Sequence, residues 1–171
     1  CEDTRPTDDP ADQDREEGAC DDYIGRDGCA SCEYYFCRDR NRPEPRGDEG
    51  YYQGFAGRYC LLFTERTIPR LSPAGQQWIQ RVRTCLQMAM EDADDALSCE
   101  EVKNHGYDAH PACYIDTGFC ELPLGDMIAT FNTVAPSDLG TQPLTTAFEC
   151  VRRWFNPDTG ELTEEGQERA H

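Results

Sequence analysis

Eleven cysteines constrain this chain more than any other feature: ten lie between Cys20 and Cys150, and the eleventh is Cys1. Thiols at that density are rare where the cytosol keeps them reduced and common in extracytoplasmic domains whose cores need covalent support. The ten are enough for five intrachain bridges. The support is needed, because only 37% of the 171 residues are hydrophobic, a modest core for a single domain. Zinc is the competing use of cysteine, and it requires paired knuckles. Cys29 and Cys32 have the right gap, but no second such pair exists and only three histidines are present. A redox Cys-x-x-Cys would open a helix beside a βαβ unit, and no such pattern appears. Structural disulfides are the expectation, with no metal and no cofactor.

The net charge of −18 weighs against nucleic acid and anionic lipid as partners. Its distribution divides the chain. Residues 1–19 carry eight acids and two arginines around Pro6 and Pro10, with almost nothing to bury, and read as a disordered acidic tether. Residues 156–171 carry five acids and one arginine and read as an acidic flexible tail. Between them, 20–155 is the expected helical disulfide domain. No apolar run reaches the roughly 18 residues a membrane helix needs. A membrane would be reached only through a lipid at Cys1, since a cysteine followed by a polar tether resembles the start of a mature bacterial lipoprotein, in which that cysteine is acylated.

Within the domain, apolar residues recur at three-to-four spacing and nowhere alternate, so the fold class is all-α, with about five to seven helices. Tyr51, Phe55, Tyr59, Leu62 and Phe63 mark a helix that Pro69 ends. Ser72 and Pro73 open the next. Trp78, Val82, Cys85, Leu86 and Ala89 form its inner face, with Gln76, Gln80, Arg81 and Arg83 largely off it. Ser98 and Glu101 form a capping box. A separate helix is expected from His110–Pro111, closed by Gly118. The last helix starts near Pro143 and places Leu144, Ala147, Phe148, Val151, Trp154 and Phe155 on an apolar face. The polar stretch 38–50 reads as a loop.

The cysteine rhythm resembles that of the stanniocalcins, secreted helical glycoprotein hormones with a ten-cysteine core. Four cysteines come close together, at 20, 29, 32 and 37, and longer helical gaps follow, through Cys60, Cys85, Cys99, Cys113, Cys120 and Cys150. The Cys113–Tyr114 dipeptide and the helices that lead to Cys85 and Cys150 are further points of likeness. The resemblance implies pairs Cys20–Cys32, Cys29–Cys60, Cys37–Cys99, Cys85–Cys113 and Cys120–Cys150. It also implies a hormone-like, non-catalytic protein that engages an extracytoplasmic protein partner, a secreted metalloprotease among the candidates. Three departures stand out. A longer loop precedes Cys60; no cysteine follows Cys150 to form an interchain bridge, which leaves only a non-covalent homodimer open; and no Asn-x-Ser/Thr site is present. These features favour a surface-anchored or secreted protein of a bacterial envelope over a serum hormone.

Two other readings remain. His105 and Asp108 beside cysteines resemble the His-Asp of secreted phospholipase A2, although Gly106 follows the histidine and no glycine-rich calcium loop is present. A purely structural envelope lipoprotein is the other. Asn156 to Leu162 resembles a calcium loop, but its glycine and its final residue are out of place for an EF-hand, and it reads as an acidic turn.

Overall fold

The structure, a computed structural model, describes residues 1, 19–41, 50–93, 97–156 and 158–169. The tether reading at 2–18 and residues 42–49 of the expected 38–50 loop therefore lie outside the described residues, whereas 38–41, expected in that loop, form the end of a helix. Eight α-helices and no β-strand occur among those described. They are α1 (Gly28–Asn41), α2 (Arg58–Leu62), α3 (Pro73–Glu91), α4 (Cys99–Asp116), α5 (Leu124–Thr133), α6 (Pro136–Leu139), α7 (Gln142–Trp154) and α8 (Glu164–Arg169). The short α2 is the middle of one helical rod, flanked by wider π-helical turns at Tyr52–Gly57 and Phe63–Thr67. Pro69 ends the rod in a 3-10 turn.

Local signals set most boundaries. Ser72 Oγ accepts the Gly75 amide at the start of α3. Both halves of the Ser98–Glu101 capping box are formed. Gly118, with φ of 97°, follows the last residues of α4 and reverses the chain. The expected break at His110–Pro111 is corrected: α4 runs through Pro111. A proline removes one amide donor. Here His110 Nδ1 donates to the Gly106 carbonyl one turn back at 2.6 Å, and the Cys85–Cys113 bridge clamps the following turn.

α3 is the central helix. Its Trp78, Ile79 and Val82 belong to one buried cluster with Cys113, Phe119 and Cys150. Its Met90 belongs to a second, with Tyr34, Tyr35, Phe36, Tyr51 and Val102. α1 lies alongside it in parallel, because contacts advance together in both helices. Arg83 donates to the Gly28 carbonyl at 2.9 Å, Gln87 to the Ser31 carbonyl at 2.7 Å, and Tyr34 to Glu91 at 2.7 Å. Arg83, expected off the buried face, is therefore inside it.

Five disulfides close the fold: Cys1–Cys29, Cys20–Cys37, Cys32–Cys60, Cys85–Cys113 and Cys120–Cys150, with Cα separations between 5.2 and 5.7 Å. Cys99 is the free thiol. The last two pairs are those the stanniocalcin resemblance implies. The other three are not. Positions 29, 32 and 37 share α1 but point in diverging directions on a helix of 3.6 residues per turn, so each meets a different partner. Cys1, expected as the acylated residue, has its sulfur in the bridge to Cys29, and a sulfur so bonded cannot also carry a thioether. Three bridges join residues up to Cys60, two join residues from Cys85 onward, and none spans the interval. Together the five place the chain in an oxidising, extracytoplasmic environment.

The expected flexible tail is also corrected over 158–169. Phe155 and Leu162 form an antiparallel bridge, α8 follows, and Arg169 donates to the carbonyls of Cys120 and Leu122, each at 2.7 Å. Its guanidinium lies 4.6 Å from the Trp154 ring. An acidic composition thus hides one arginine that holds the segment down.

Candidate functional site

Two features are candidates, a partly open cavity and an exposed apolar row. The cavity, of about 80 Å³, lies where the two buried clusters meet. One wall is the rod around α2, which presents Phe55, Ala56, Tyr59 and Phe63. Its π turns keep these aromatic side chains on one side at four-residue intervals. The opposite wall is α3, with Ile79, Val82, Leu86 and Met90, and α4 contributes Gly106, His110 and Tyr114. A second space of about 40 Å³ shares Phe55, Tyr59, Phe63, His110 and Tyr114 with the first.

Polar groups interrupt this apolar lining. Arg83 is only 6% exposed. Its Nη1 reaches the Gly28 carbonyl, and its Nη2 donates to Thr64 Oγ1 at 2.7 Å. Among the described residues no carboxylate lies within ion-pair distance of it. Burial lowers the affinity of this guanidinium for its proton, although an arginine stays charged at any ordinary pH. Tyr35, Tyr51 and Tyr114 also line the space, and their hydroxyls have no hydrogen-bond partner among the described residues. Burial raises all three phenols, so they remain protonated donors. Burial lowers His110, against a smaller opposing effect from the Gly106 carbonyl. Its Nδ1 serves that carbonyl, so the neutral ring keeps Nε2 as an acceptor.

The exposed row is on α7. Leu144 is 75% exposed, Phe148 62%, Val151 46% and, just past the helix, Phe155 41%. Among its described side chains, α7 buries Thr146 and Cys150. The sequence marks an apolar face correctly but not its direction: the Cys120–Cys150 bridge turns the opposite side of the helix to the core. The intervals of four, three and four residues are those of a helix-packing seam. Arg152 flanks it, 3.5 Å from Glu149.

Residues singled out in the sequence are elsewhere. His105 Nε2 donates to the Ala89 carbonyl at 2.7 Å and ties α4 to the end of α3. No hydrogen bond joins it to Asp108 among the described residues. Asn156 Oδ1 accepts the Asp158 amide in a tight turn that Gly160 closes with φ of 71°. No group of three or more metal-ligating side chains occurs among the described residues. Arg83 was missed because an arginine between apolar neighbours reads as the solvent side. The signal was its spacing: 75, 79, 83, 87 and 90 form a second stripe on α3, polar at two positions. Comparison with protein-family models, curated proteins and solved structures finds no match to this chain.

Proposed function

We propose that this chain is a non-catalytic extracytoplasmic binding domain that captures an amphipathic helix of another protein on α7. The single observation behind this reading is the exposed row Leu144, Phe148, Val151 and Phe155 at seam spacing. A helix laid along it would bury apolar anchors at matching intervals, a common mode of helix recognition. A second copy is disfavoured as the occupant, because two chains of net charge −18 repel. Arg152 and Glu149 pair with each other beside the row, so this flank adds no net charge and the apolar anchors carry the contact. The disulfide-braced helical scaffold, similar in its cysteine rhythm to the stanniocalcins, fits a protein that presents a surface, and a secreted metalloprotease is a candidate class of partner. On this reading the protein is secreted or held at the cell surface.

The test compares the wild-type chain with Phe148→Glu in cross-linking capture from extracellular and envelope extracts. The expected result is a partner retained by wild type and lost by the variant, with amide protection on binding centred on 142–155. Equal capture by both chains would overturn the reading, and so would cross-linking of the chain only to itself.

A further inference from the structure

The cavity contains a pairing that the docking face does not account for: a buried cation with no anion beside it among the described residues, at the wall of an apolar space. A guanidinium removed from water is strongly disfavoured unless charge or hydrogen bonds compensate it. At Arg83 the compensation is one backbone carbonyl and one threonine hydroxyl. Neither carries charge, and N–H donors are left over. Tyr35, 5% exposed, lines the same cavity, and its hydroxyl has no hydrogen-bond partner among the described residues. Two donors of this kind beside an apolar space suit a ligand with an anionic end and a hydrocarbon body. Ile79, Val82, Leu86 and Met90 supply the apolar contacts.

We propose that this cavity binds a small monocarboxylate, its carboxylate facing Arg83 and its hydrocarbon body directed along α3. The volume bounds the ligand. A cavity of about 150 Å³ holds benzene. The about 80 Å³ here, extended by the adjoining about 40 Å³, suits a short chain of a few carbons rather than a long-chain fatty acid. A divalent cation is the wrong sign for Arg83. A neutral ligand of the same shape would leave the guanidinium uncompensated.

The test is calorimetric titration of the full, oxidised chain at pH 7 with propanoate, 1-propanol and propylamine, together with Arg83→Met. Propanoate is expected to saturate one site and to bind about tenfold or more tighter than propanol, since a charge-assisted hydrogen bond is worth about that factor. Propylamine is expected not to bind. In Arg83→Met the preference for the acid over the alcohol should disappear. Nuclear Overhauser contacts from the propanoate methyl to Val82 and Leu86 methyls would locate the body without any variant, should Arg83→Met fail to fold. Non-saturating propanoate, equal affinity for acid and alcohol, or contacts confined to α7 would each overturn the proposal. Phe148→Glu should leave propanoate binding unchanged, which separates this site from the docking face.

Discussion

The hydroxyl of Tyr51 occupies the space that a Cβ on Gly106 would fill. The rod around α2 can approach α4 this closely because residue 106 has no side chain. Alanine in an open helix position is worth up to about 1 kcal/mol over glycine. At Gly106 the overlap should reverse that sign, and Gly106→Ala is expected to destabilise by about 1–3 kcal/mol. Gly125 in α5 has nothing within 4 Å of its would-be Cβ, so Gly125→Ala should be neutral or stabilising. Urea unfolding of both variants checks the pair. In a Tyr51→Leu background the penalty at Gly106 should shrink.

His110 makes stability depend on pH in a defined window. Its folded-state affinity for a proton is below the ordinary value of 6.5, so the unfolded chain binds the proton first. The stabilisation is complete above about pH 6.5 and is lost as pH falls below it, with a slope of at most about 1.4 kcal/mol per pH unit. Asp138 is held below its ordinary 3.8, first by a hydrogen bond from Tyr59. Its contribution is lost only in the carboxylate range, well separated from that of His110. Denaturation between pH 7.5 and 5 should show the fall in wild type and a flatter profile in His110→Gln.

The thiol inventory is directly measurable. Under denaturing, non-reducing conditions one alkylation is expected, in the peptide containing Cys99. Cys99→Ser should change stability by less than about 0.5 kcal/mol, whereas replacing Cys85 and Cys113 by alanine should cost about 2–5 kcal/mol. A lipid-sized mass on Cys1, with Cys29 alkylated, would show that the Cys1–Cys29 bridge does not form.

Arg169 is expected to fasten the last helix by itself. Arg169→Ala removes two hydrogen bonds to buried-turn carbonyls and the contact with Trp154. Amide exchange in 158–169 should accelerate toward that of a frayed terminus, with α1 to α5 unchanged. Unaltered exchange would mean that the Phe155–Leu162 pairing suffices.

What could be read in the sequence was local. Ser72, Ser98 with Glu101, and Gly118 act within a turn of themselves, so their spacing identifies them. The all-α class follows from periodicity for the same reason. Partners distant in sequence could not be read. Gln87 is completely buried because Ser31, on another helix, supplies its hydrogen bonds. Arg83 depends on Gly28 and Thr64 in the same way. The spacing of Cys29, Cys32 and Cys37 gives their count and not their directions, which only the packed α1 decides. On α7 the amphipathic pattern was plain, but a pattern has two sides, and the bridge at Cys150 decides which one is inside.

The grouping of the bridges has a mechanical consequence. With none between the residues up to Cys60 and those from Cys85 onward, a single protease cut in the interval, for instance after the exposed Arg66 or Arg70, would leave two fragments with no covalent link. They would separate in denaturant without any reductant. In native buffer they would stay joined through the parallel contact of α1 with α3 and the aromatic walls of the cavity. Each half can oxidise on its own, and the seam between the halves, which no bridge crosses, passes through the ligand cavity.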